Sequence, residues 1–71
     1  MIPLSLAPYN TDLEIVKISG TTESKHHLEK MGFYKGQTLK VLSNQNGNMI
    51  ILLLDGKLAI GNQLSKKIFV R

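Results

Sequence analysis

HHLEKMGFYKGQTLKVL, residues 26–42, decides how this chain is read. Its paired histidines suggest a metal site. Its Met31-Gly32-Phe33 and Gly36 suggest a helix that stops and a strand that begins. On a helix, His26 and His27 point about 100° apart, so they do not easily chelate one ion together. Glu23 lies three residues before His26 and four before His27, which is better spacing for a shared helix face. Two ligands still leave a divalent metal with several open positions. Glu23, His26 and His27 are therefore kept as a weak candidate for a divalent transition metal, and no cofactor is required. Met31 reads as core filler rather than a soft ligand.

The structural reading accounts for the rest of the stretch. A glycine just past a helix end takes the left-handed conformation without a Cβ penalty, and the next residue folds back onto the last turn. Gly32 is thus the stop of a helix that Thr21-Thr22-Glu23 opens: a threonine caps free N–H groups, and a carboxylate suits the positive end of the dipole. Leu28 and Met31 share its buried face, with Ser24 on the same stripe. Phe33 is expected against Leu28. Gly36 marks a tight turn, and Gln37 to Ser43 then alternates, Leu39 and Val41 inward, Thr38 and Lys40 outward.

Outward from this centre the chain reads as short strands. Both prolines, Pro3 and Pro8, fall in Met1 to Asn10, which is expected as extended chain or loop, with Leu4 and Leu6 covering one end of a core. Asp12 to Ser19 is a strand whose alternation slips at Ile15-Val16, the mark of a bulge or of burial on both faces. Asn46-Gly47 signals a hairpin, and Asp55-Gly56 a second, of the type with positive φ at both central positions. Between them Met49 to Leu54 is apolar on both faces, so something must cover each side, and self-association into a weak homo-oligomer is one way. Lys57 to Ile60 returns, Gly61 to Leu64 is a corner with one short helical turn, and Lys66 to Arg71 closes with Ile68 and Val70 inward. The expectation is a mainly β fold: a small SH3-like barrel of about five strands, with one short helix inserted after the first strand, and a single domain over residues 1–71.

Composition bounds the function. With 71 residues, 42% of them apolar and no cysteine, the chain suits one intracellular domain without thiolate metal sites or cysteine nucleophiles. The first basic residue is Lys17 and the longest apolar run is Met49 to Leu54, so neither a signal peptide nor a spanning helix of about 20 residues is expected. Net charge is +4, from lysines scattered singly except Lys66-Lys67. No Ser-His-Asp arrangement or Walker-type phosphate loop is present, the five carboxylates form no obvious pair, and Arg71 alone could supply an arginine, from the last position. The chain is not expected to be an enzyme.

Taken together, these residues resemble the FeoA family, the small cytosolic component of bacterial ferrous iron uptake. The family pattern is a strand ending in glycine and a helix ending Leu-x-x-Met-Gly-Phe/Leu, met here as Leu28, Met31, Gly32 and Phe33. Then follow x-x-Gly at Gly36, an alternating strand, a hairpin, a leucine corner at Leu64 and a last strand Ile68-Phe69-Val70. Lys35 stands where the family often has proline. The same domain resembles the C-terminal module of iron-dependent repressors, here without their other domains. The resemblance implies a cytoplasmic accessory protein at the inner face of the membrane. It would bind and modulate an FeoB-type permease carrying a cytosolic G domain, without chemistry of its own.

Tyr34 and Lys35, in the link between helix and strand, are the expected anchors for that partner, with Lys25, His26 and Lys30 on the helix and the Asp55-Gly56 tip. Nucleic acid is the competing partner class, since small basic barrels bind it through aromatics and lysines. With Phe33 assigned to the core, Tyr9, Tyr34 and Phe69 make a thin stacking platform, and nucleic acid is not the expected partner.

Overall fold

The computed structural model describes residues 1–54 and 56–71. Strands β1 (Ile2–Pro3), β2 (Leu13–Ile18), β3 (Thr38–Gln45), β4 (Asn48–Leu53), β5 (Gly56–Ile60) and β6 (Ile68–Val70) are joined by helices α1 (Thr22–Lys30) and α2 (Asn62–Ser65) and a 3-10 turn at Leu4–Leu6. The strands form one sheet in the order β1-β6-β2-β3-β4-β5, with every neighbouring pair antiparallel. Laid flat, six strands at their usual spacing would make a slab roughly 24 Å wide and half as thick. The molecule instead measures 29 × 25 × 23 Å, so the sheet curls around its own contents. Those contents are one cluster that draws on every strand from β2 to β6, on Leu28 of α1 and on Phe33.

The deciding stretch folds as its residues dictate. Thr21 caps α1, its Oγ1 accepting from the Ser24 N–H at 3.1 Å. At the other end Gly32 has φ +101°. Its N–H donates to the Glu29 carbonyl at 3.0 Å, while the Phe33 N–H reaches the Leu28 carbonyl at 2.9 Å. This crossed pair satisfies two carbonyls at the helix end and turns Phe33 inward, where both it and Leu28 are fully buried. Gly36 (φ +94°) then sits in a turn closed by the Gln37 N–H on the Tyr34 carbonyl at 3.0 Å.

The remaining elements agree with the sequence in most respects. The β2 register shifts between Ile15 and Lys17, so the slipped alternation is a bulge. Asn46 (φ 55°) and Gly47 (φ 81°) form the β3–β4 hairpin with positive φ at both positions. On β4, Met49, Ile51 and Leu53 are buried, while Ile50 and Leu52 are only half covered.

Three expectations need correction. The strand count is six rather than about five: the N-terminal segment is extended at its start, as expected, but Ile2 and Pro3 also pair with Val70 and Phe69. Leu4 is buried but Leu6 is 75% exposed, because in a 3-10 turn residues two apart point in different directions. The second hairpin turns one residue earlier than expected. Gly56 already pairs with Leu53 as the first residue of β5, and Leu54 takes the positive φ of 49°. Asp55 itself lies outside the described residues.

Candidate functional site

The expected partner-binding residues divide between two clefts on either side of α1. Lys25, Tyr34 and Lys35 line a groove of about 280 Å³ with Val16, Lys17, Ile18 and Glu29. His26 and Lys30 face the other way, lining a wider cleft of about 720 Å³ with Glu23, His27 and Leu64. The division follows from helical geometry. Positions 25 and 29 are one turn apart on one flank, while 23, 26, 27 and 30 make a stripe on the other. Leu28 points between them into the core. Gly56 lines neither cleft.

The narrower groove is held in shape by bonds around its rim. Tyr34 is 46% exposed, but its ring is fixed from below: Gln37 Nε2 donates to the phenol oxygen at 3.2 Å. Gln37 is itself buried, and its Oε1 accepts from the Thr38 N–H at 3.2 Å. Opposite, Lys17 reaches over the Phe69 ring, its Nζ 6.0 Å from the centroid, which orients the ammonium at the groove margin. The Gly36 N–H donates to the Ile15 carbonyl at 2.7 Å and so ties the Tyr34-Lys35 link to the bulged end of β2. The result is a groove whose lining joins apolar Val16 and Ile18 and the Tyr34 ring with three lysines and one carboxylate.

Sequence reasoning named three of these seven lining residues. Val16, Lys17, Ile18 and Glu29 were missed. The available signal was the slip at Ile15-Val16, because a bulge re-aims the residues beyond it.

In the wider cleft, Glu23, His26 and His27 share a wall and are exposed. No group of three or more His, Asp or Glu side chains among the described residues is placed to hold a metal ion. Arg71 is engaged structurally: its Nε and Nη2 donate to Glu14 Oε1 at 3.2 and 3.1 Å, and the two backbones exchange bonds. Of the aromatics, Phe33 is buried and Phe69 is half covered beneath Lys17, leaving Tyr9 and Tyr34 exposed. No helix among the described residues is long and apolar enough to cross a membrane.

Comparison with known proteins places this architecture. A family model described as "FeoA domain" matches residues 2–71. A curated protein of Methanocaldococcus jannaschii, "Putative Fe(2+) transport protein A", is 37% identical over 70 residues, covering 99% of this chain and 85% of the relative. The crystal structure of an iron uptake regulatory protein (FeoA) superposes with a TM-score of 0.89 at 31% identity, covering 99% of this chain and 93% of the other. ScaR with bound Zn2+ superposes with a TM-score of 0.88 at 15% identity. The chain spans 36% of that protein, and the likeness is one of fold. The mainly β, SH3-like architecture expected from the sequence is the one these structures share.

Proposed function

We propose, because this chain belongs to the FeoA family, that it is an accessory protein of ferrous iron transport which binds and modulates an FeoB-type permease. The observation that carries this reading is the family match over residues 2–71, supported by a relative named for Fe(2+) transport that aligns over nearly the whole chain. Ferrous iron is the cargo of the transporter in this account. The protein works from the cytoplasmic side by docking on the permease's cytosolic G domain, and it catalyses no reaction itself. The groove between β2 and α1 suits docking. It presents an orientated tyrosine and lysines that form no ion pair among the described residues, and aromatic anchors of this kind carry much of the energy of protein interfaces.

The test is the affinity of the full chain for the cytosolic part of its cognate permease. Combining Tyr34→Ala with Lys35→Glu removes the ring and reverses a rim charge. Loss of one aromatic anchor costs about 1–2 kcal/mol at an interface, so the pair is expected to weaken binding by tenfold or more. Both side chains are exposed, but Tyr34→Ala also removes the acceptor of the buried Gln37 Nε2, a loss of about 1 kcal/mol in stability. Tyr34→Phe, which loses the same bond and keeps the ring, separates that loss from docking. Unchanged affinity would remove the groove as the docking site. Absence of any binding by the unaltered protein would remove the cytosolic part as its partner.

A further inference from the structure

We propose that the groove between β2 and α1 takes an extended acidic peptide segment of a partner protein. An apolar side chain would seat on Val16 and Ile18 beside the Tyr34 ring, and flanking carboxylates would meet Lys17, Lys25 and Lys35. The proposal rests on the docking role assigned to this groove above and states the chemistry of what enters it.

Charge selects the occupant. The lining holds three lysines against Glu29 alone. The ion pairs among the described residues are Lys40 with Asp12 and Arg71 with Glu14, and neither uses a groove lysine. A concave site with this surplus focuses a positive potential where carboxylates can lie. The apolar part of the lining selects further. Val16, Ile18 and Tyr34 in the lining give apolar surface that a bare anion would leave unfilled. At about 280 Å³ the groove holds one or two side chains and falls below the usual size of a small-molecule site.

The backbone points to an extended occupant. The first half of β2 is sandwiched between β6 and β3, but β3 begins at Thr38, opposite Glu14. Ile15 completes that side by bonding Gln37 and Gly36. Beyond it, Lys17 and Ile18 pair only with Phe69 and Ile68 of β6. Among the described residues, no strand neighbours the other edge of this segment. That edge lies on the side where Tyr34-Lys35 departs, along the groove. A peptide entering here can add backbone bonds to that edge while its alternate side chains use the apolar lining and the lysines.

The experiment is a titration of the isotope-labelled full chain with terminally blocked heptapeptides rich in Asp and Glu, with Leu, Ile, Met or Phe at the centre. Saturable amide shifts are expected over 16–18, 25–29 and 34–36. Replacing the peptide's Asp and Glu by Asn and Gln, or introducing Lys17→Glu with Lys35→Glu, should weaken binding about tenfold, as two exposed ion pairs would allow. Lys57→Glu, on β5 outside the groove, should leave it unchanged. The proposal is overturned if the whole peptide set produces no shifts, if the shifts fall elsewhere, or if the neutral peptides bind equally. It is also overturned if an oligothymidylate displaces the peptide from the groove, which would make the site one for nucleic acid. Binding of the peptides without binding of the permease would sink the proposed partner and leave the groove chemistry standing. Binding of the permease with silent peptides would do the reverse.

Discussion

Phe33→Ala is expected to lower the melting temperature by about 20 °C or more, the largest effect of any single truncation in this fold. The ring is fully buried in the core cluster with Leu28. Deleting it loses the transfer free energy of a phenyl group and opens a cavity, together about 3–5 kcal/mol. A domain of this length holds only about 4–11 kcal/mol in total. The site is also structural in a second sense. Phe33 is the residue that folds back over the end of α1, so its loss removes the apolar contact that holds the helix terminus. Thermal and urea unfolding followed by circular dichroism would measure it. A fall of less than about 5 °C would mean that Phe33 does not close the core.

Gly32→Ala is expected to cost about 2–3 kcal/mol, more than the same change at Gly36. Both glycines have φ values that L-residues rarely adopt, +101° and +94°. An alanine at either position carries that conformational penalty of about 1–2 kcal/mol. At Gly36 the added Cβ meets nothing within 4 Å, whereas at Gly32 it comes to 3.3 Å from Leu53 Cδ1, a buried side chain of β4. The difference between the two variants isolates that contact. Equal losses would show that Leu53 moves aside freely and that the helix end is not packed against the sheet. A small loss at both would mean that the glycine conformations are not required.

How much of this was legible depends on whether the cause is local. The helix terminus at Met31-Gly32-Phe33 was readable because glycine, the cap and the following aromatic are neighbours in sequence. Asn46-Gly47 was readable for the same reason. The second hairpin was not, because its register is set by burial of Met49, Ile51 and Leu53 against the core, which overrides the local preference of Asp-Gly for turn centres. The strand at Ile2–Pro3 has no signature of its own and exists through pairing with β6. The candidate site was half legible. Tyr34, Lys35 and Lys25 could be named from their positions at a helix and its exit. Val16, Lys17 and Ile18 join them only because the bulged β2 outlasts β3 and leaves an edge beside the helix. The same geometry separates His26 and Lys30 from the patch, which a linear reading had grouped with it.

Stability and docking meet at the groove. Stability comes from the core around Phe33, and the packed helix terminus carries Tyr34 and Lys35 directly after it. Substitutions at Phe33 or Gly32 should therefore disturb docking through the fold, whereas Lys35→Glu should disturb docking alone and Tyr34→Ala should disturb docking with only the modest stability loss of the Gln37 bond. Paired measurements of melting temperature and affinity separate the two classes.

Docking at the groove is tested by titrating the isotope-labelled protein with the cytosolic part of its cognate FeoB-type permease, followed amide by amide. Saturable shifts are expected on 16–18, the 25–29 flank of α1 and 34–36, with the opposite flank at Glu23, His26, His27 and Lys30 left quiet. Shifts concentrated on that opposite flank, or none at saturating partner, would contradict docking there.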